Sequence, residues 1–182
     1  MKTAESILSE IQGVITQIRE ESLKSIAVKL ANANRIFVIG EGRSGFMGKS
    51  FAMRLMHLGA TVYAVGETIT PSIAEGDLLV AVSGSGKTKS VVSTAEKAIE
   101  LNCQVVTLTT NLESPLALHS TNVLHIPAST KYRAEGETRS IQPLGSLYDQ
   151  SVHIVFDSIC LLYSNLKERG HQEAFRLHSN LE

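Results

Sequence analysis

The chain has 182 residues, 43% of them hydrophobic and 19% charged, with a formal net charge of −1. This is enough for one domain spanning residues 1–182 with a substantial core. The near-zero charge gives no electrostatic ground for binding nucleic acid or an anionic membrane, so any anion has to be captured locally by a loop. No apolar run approaches the ~20 residues of a membrane span. The opening MKTAESILSEIQG mixes charges into its apolar residues, unlike a signal peptide. Cys103 and Cys160 stand apart in apolar surroundings and fit neither a disulfide framework nor a zinc site. They read as buried thiols of a cytoplasmic protein.

Residues 4–31 place Ile7, Ile11, Val14, Ile15, Ile18, Leu23, Ile26, Ala27 and Leu30 mostly three and four apart, which predicts one long amphipathic helix. Such a helix ahead of the first strand, within residues 1–33, has to cover its own domain or a partner subunit. Strands are predicted at 35–39, 61–65, 77–82, 104–108 and 123–126. Helices are predicted at 44–58, 90–101 and 146–167, with a short one near the C-terminus. Unbroken apolar strands alternating with helices imply a five-stranded parallel sheet covered on both faces, a three-layer αβα sandwich. Residues 127–144 are polar and aperiodic. Their charged side chains Lys131, Arg133, Glu135, Glu137 and Arg139 read either as solvated decoration or as the border of a ligand site.

The chemistry is concentrated after two strands. The first ends in Gly40-Glu41-Gly42-Arg43-Ser44-Gly45, a G-x-G-x-x-G pattern with Glu67 near the position of a ribose-binding acid. Arg43 and Ser44 suit a terminal phosphate dianion better than a pyrophosphate. The third strand runs into Ser83-Gly84-Ser85-Gly86-Lys87-Thr88, which matches a Walker loop apart from Ala81 in place of its first glycine. No later strand ends in the Asp that would hold magnesium in a P-loop enzyme. Both loops open helices, where backbone N–H groups and the dipole favour an oxyanion. Ligands of open parallel sheets sit at the carboxyl ends of the strands. There Gly42, Arg43 and Ser44 are expected to converge with Ser83, Gly84, Ser85 and Thr88 on one phosphate. The bland reading is that these are small residues capping helices; two loops with four hydroxyls weaken it.

The second loop resembles the Ser-x-Ser-Gly-x-Thr signature of the sugar isomerase (SIS) domain family. Gly42-Arg43-Ser44-Gly45, Ala52-Met53-Arg54-Leu55-Met56-His57-Leu58-Gly59, Val65-Gly66-Glu67-Thr68, Gln142-Pro143-Leu144-Gly145 and His178-Ser179-Asn180-Leu181 are similar to 6-phospho-3-hexuloisomerases. The resemblance implies a five-stranded three-layer fold and a homo-oligomer, dimeric or tetrameric, with sites near subunit contacts. It implies interconversion of D-arabino-hex-3-ulose 6-phosphate and fructose 6-phosphate through an enediol, in the ribulose monophosphate pathway of formaldehyde fixation. The enzyme would be coupled functionally to a 3-hexulose-6-phosphate synthase. The chain departs from the family at Glu41, where a small residue is common, at Lys87, and at Asp149, where Glu is usual.

Carbonyl transfer from C3 to C2 needs a proton shuttle and donors for an oxyanion, and no redox cofactor. A metal is optional, and the six histidines form no metal-ligand spacing. Asp149, just inside the helix over 146–167, is the expected base, with the helix dipole favouring its ionised form. Glu67 is the rival carboxylate. The resemblance implies that His178, in the C-terminal tail, enters a neighbouring subunit's site as a proton-transfer or ring-opening residue. His57 reads as a catalytic candidate or a last-turn cap. His119 and His153 read as packing residues. Two alternative functions remain: a phosphosugar-binding SIS module without turnover, and a P-loop-like nucleotide enzyme using Lys87 and Thr88.

Overall fold

The computed structural model describes residues 2–181. In chain order the elements are α1 (Thr3–Ile15), α2 (Glu20–Asn32), β1 (Ile36–Gly40), α3 (Gly42–His57), β2 (Val62–Ala64), β3 (Leu78–Val82), α4 (Lys89–Glu100), β4 (Gln104–Thr109), α5 (Pro115–Leu118), β5 (Asn122–His125), α6 (Ser146–Leu166) and α7 (His171–Arg176). The strands are all parallel, in the order β2-β1-β3-β4-β5. Alternation along each strand sends residues to opposite faces. Ile36, Val38, Leu78, Val80, Val82, Val106 and Leu108 pack with α2, α3 and α6, while Phe37, Ile39, Leu79, Ala81 and Val105 pack with α4 and α5. Cys103 and Cys160 are buried free thiols in these two layers, and burial pushes the Cys160 thiol up to about 12.

The order reverses between β1 and β3, because β2 lies outside β1 and the chain then crosses back to the other side of β1. Gly40 pairs with Val82 in register. The two glycine-rich loops therefore leave the sheet level with each other, at the crevice where open α/β sheets take ligands.

The single helix expected over 4–31 is two helices. Its apolar spacing breaks between Ile18 and Leu23; on one continuous helix five residues would turn the second stripe about 140° away from the first. The chain instead tightens through Gln17 N–H to Val14 O and Ile18 N–H to Ile15 O and passes through an extended Arg19. It then restarts, so that both stripes pack on α6. The one-turn α5 was not expected, although its Ser-Pro start is a capping signal: Ser114 Oγ accepts from Ala117 N–H at 3.3 Å. His119 and His153 are not packing residues. Each is partly exposed and faces an acid, His119 on Glu96 at 3.1 Å and His153 on Asp157 at 3.7 Å.

Candidate active site

The loops after β1 and β3, the segment 130–132 and the start of α6 enclose a cleft of about 470 Å³. All seven residues expected to bind phosphate line it: Gly42, Arg43, Ser44, Ser83, Gly84, Ser85 and Thr88. Asp149 lines it as well, with Tyr148, Thr130, Lys131, Tyr132 and Glu41.

The β3 loop is held in shape by its own hydroxyls and by its neighbours. Ser83 Oγ lies 3.0 Å from Thr88 Oγ1 and accepts from Gly86 N–H at 3.2 Å. Gly86 has φ +63°, and a β-carbon there would collide with the Ser114 hydroxyl. A glycine is therefore required by both conformation and space. Gly84 C=O accepts from Thr109 Oγ1 and Thr110 Oγ1 at 3.1 and 2.9 Å. Beneath it lies the buried ring of Tyr148, whose phenol donates to Leu108 O at 2.6 Å. Burial pushes that phenol well above its ordinary value, so it stays a donor. The passage from β1 into α3 is equally tight: a β-carbon on Gly45, in the first turn of α3, would stand 2.6 Å from Gly40 O. The start of α4, just after the β3 loop, is tied to the turn after β1 where Ser90 Oγ donates to Glu41 Oε1 at 2.7 Å.

Asp149 is the reactive group with the most distinctive surroundings. Ser44 Oγ donates to its Oδ1 at 2.8 Å and Arg43 Nε to its Oδ2 at 3.2 Å. Its residue is only 5% exposed. Burial raises its pKa above the ordinary carboxylate value, outweighing the lowering by the Ser44 hydroxyl and the Arg43 cation. The dipole expectation is thus reversed: desolvation of a carboxyl in the first turn of α6 outweighs the field of the helix end. A carboxyl raised in this way is a better proton acceptor when it ionises and holds its proton to higher pH.

The other expected catalytic residues lie elsewhere. Glu67 follows β2 and pairs with Lys49 on the exposed edge, outside the cleft. His57 closes α3 at the end opposite Ser44, about 20 Å away by helical rise, and its ring stacks on that of His178 at 5.3 Å between centroids. Burial, followed by the charges of Arg54 and His178, lowers the His57 pKa and favours the neutral ring. Lys87 is exposed and is not part of the cleft lining. β4 ends at Thr109 and β5 at His125, so neither offers a magnesium-binding Asp. Sequence reasoning missed Thr130 and Tyr132, which sit in the aperiodic segment, where the only sequence signal was unusual length; Lys131, open there to either reading, lines the cleft. Glu137, one of the charges open to either reading there, turns inward and accepts from Thr130 N–H and Oγ1, both at 2.7 Å.

A parallel sheet with two hydroxyl- and glycine-rich loops at its order reversal, and a buried carboxyl facing them, defines a phosphate-binding α/β protein. The family model for the SIS domain matches residues 29–154, and the chain belongs to that family. It is similar to the 3-hexulose-6-phosphate isomerase of Bacillus subtilis, 40% identical over 185 residues covering 100% of both chains. A second similar protein is the 3-hexulose-6-phosphate isomerase of Mycobacterium gastri, 37% identical over 97% of this chain and 88% of the other. A crystal structure of a hypothetical protein from Methanococcus jannaschii superimposes with a TM-score of 0.87 at 28% identity, over 100% of both chains. Its report infers a molecular function of 3-hexulose-6-phosphate isomerase.

Proposed function

We propose that this protein interconverts D-arabino-hex-3-ulose 6-phosphate and fructose 6-phosphate. The observation that carries the reading is the meeting of Asp149 with both hydroxyl loops in one cleft. Full-length similarity to the Bacillus subtilis isomerase supports it. Ser44, Ser83, Ser85 and Thr88, with the backbone N–H groups of the β3 loop, hold the 6-phosphate. Arg43 orients the phosphate or a neighbouring hydroxyl. Asp149 removes the proton from C2, the enediol forms across C2 and C3, and the protonated carboxyl returns the proton to C3. The O2 hydroxyl proton passes to O3 in the same turnover, which gives a second acid–base group its task.

The His178 ring rests on His57 at the far end of α3, away from the cleft of its own chain. We assign it to the cleft of a second copy, in a homo-oligomer. Exposed apolar side chains support an oligomer: Phe46 on α3 is 66% exposed and Phe175 on α7 is 71% exposed, with Met53, Ile154 and Leu161 also on the surface. Among the described residues no helix is long and apolar enough to cross a membrane. We place the enzyme in the cytoplasm, beside a synthase that adds formaldehyde to ribulose 5-phosphate.

A coupled assay tests this reading. Ribulose 5-phosphate, formaldehyde and a synthase should yield fructose 6-phosphate only when this protein is added. Fructose 6-phosphate binding without turnover would leave a binding module, and tight binding of Mg-ATP would return the β3 loop to the nucleotide reading.

A further inference from the structure

The segment leading into α6 is fixed from a distance. Glu10, on α1, accepts from Ile141 N–H at 2.7 Å, Ser140 Oγ at 2.8 Å and Gln142 Nε2 at 3.0 Å. Gln142 is buried, its N–H donates to Ser140 Oγ at 3.0 Å, and its carbonyl accepts from Arg133. One carboxylate thus gathers three donors from consecutive residues. Burial raises the Glu10 pKa, but the bonds from Gln142, Ile141 and Ser140 and the charge of Arg133 together bring it below its ordinary value. The carboxylate is therefore held ionised, the form that accepts all three.

Two residues beyond Gln142 the backbone is strained. Leu144 has φ +53°, in the left-handed region that a leucine enters only at a cost. Such a residue persists where its surroundings over-determine it. Leu144 and Gly145 line the cleft, Ser146 N–H bonds to Pro143 O, and Asp149 N–H bonds to Gly145 O at 3.0 Å. The strained turn therefore sets where the first turn of α6 begins, and with it where the Asp149 carboxyl lies. The only side chain of α1 bonded to this turn's approach is that of Glu10, among the hydrogen bonds of the described residues.

We propose that Glu10 is a positioning residue for the reaction, holding the 140–142 segment so that the strained turn at Leu144 presents Asp149 to the substrate. The proposal rests on Asp149 being the base. It assigns a role in turnover to a helix that lies ahead of the first strand and outside the cleft.

The test uses the full-length protein with Glu10→Ala, Glu10→Gln and Gln142→Ala. Glu10→Ala should lower kcat by about 10- to 100-fold, the range expected when a reacting group is displaced by about an ångström, with KM changed far less. Glu10→Gln, which keeps an acceptor oxygen, should restore part of kcat. Gln142→Ala should lower kcat in the same sense, and the double variant should be no worse than Glu10→Ala alone, because both act through one segment. A folded Glu10→Ala protein with wild-type kcat would overturn the proposal, as would losses in the two single variants that simply multiply. Should Glu10→Ala fail to fold, Gln142→Ala, which leaves α1 untouched, decides by the same kcat criterion. Should the wild-type protein show no isomerase activity, the functional reading fails separately. Amide hydrogen exchange over 144–149 then decides: faster exchange in the variants upholds the positioning role, and unchanged exchange ends it.

Discussion

The Ser44 hydroxyl donates to Asp149 Oδ1 at 2.8 Å across 105 positions of sequence. This bond joins the first turn of α3, directly after the first strand, to the first turn of the last long helix. It places a hydroxyl expected to hold phosphate against the carboxyl expected to move a proton, and most of the chemistry proposed for the cleft passes through that pair.

Replacing Asp149 separates catalysis from stability. Asp149→Asn should lower kcat by at least ~10²-fold, the lower end for loss of a general base, while fructose 6-phosphate binding by calorimetry persists. The folded-state pKa of Asp149 is raised above the ordinary 3.8 by burial. Its ionisation therefore opposes folding: the cost is absent below the ordinary value and develops as pH rises through the raised one. Thermal unfolding should accordingly show the Asn variant gaining on the wild type at pH 7 relative to pH 3. A gain at pH 3 that vanishes at pH 7 would contradict the assigned cause.

Arg43 tunes the same carboxyl. Its charge and hydrogen bond both lower the Asp149 pKa. Arg43→Gln should move the acid limb of the kcat/KM profile to higher pH, and raise KM through the lost phosphate or hydroxyl contact. A limb that moves to lower pH would show that another group titrates there.

The β3 loop makes a graded prediction. Ser83→Ala and Thr88→Val each remove a hydroxyl proposed to hold the phosphate dianion and should weaken fructose 6-phosphate binding by about 10- to 100-fold. Lys87→Ala should leave it within ~2-fold, because surface substitutions away from a site carry little energy. Equal losses in all three would restore Lys87 as a ligand. Calorimetry reads all of these.

Two glycines should respond in opposite directions. Gly86→Ala forces a side chain into the left-handed region and against Ser114. It should destabilise the protein by ~1–3 kcal/mol from backbone strain alone, and weaken binding too. Gly13 lies inside α1 with nothing within 4 Å of where a β-carbon would stand. Gly13→Ala should stabilise by about 0.5–1 kcal/mol. Chemical denaturation measures both.

A site shared between copies, as proposed for His178, is open to complementation. His178→Ala and Asp149→Asn should each be nearly inactive as homo-oligomers. Mixed and allowed to exchange subunits, they should recover activity, because a cleft with an intact Asp149 can meet a tail with an intact His178. No recovery in demonstrably mixed oligomers would confine His178 to a structural role on His57.

The sequence by itself determined the layer architecture and the phosphate loops. Short, mostly apolar runs such as 78–82 and 105–108, alternating with helical patterns, read as strands of a sheet buried on both faces. Glycines and hydroxyls directly after a strand announce a phosphate turn whatever surrounds them, because the signal lies in adjacent residues. Tertiary structure decided what depends on residues far apart in the chain. It divided the first helix, since each apolar stripe had to meet α6 separately. It buried Asp149 beside Ser44 and Arg43, turning a carboxyl expected to be ionised by a helix dipole into one raised by desolvation. It brought Thr130, Lys131 and Tyr132 to the cleft rim, stacked His178 on His57 away from it, and tied Glu10 to residues 140–142. Desolvation and hydrogen bonding depend on what packs around a group, and that environment exists only once the whole sheet and its helices are assembled.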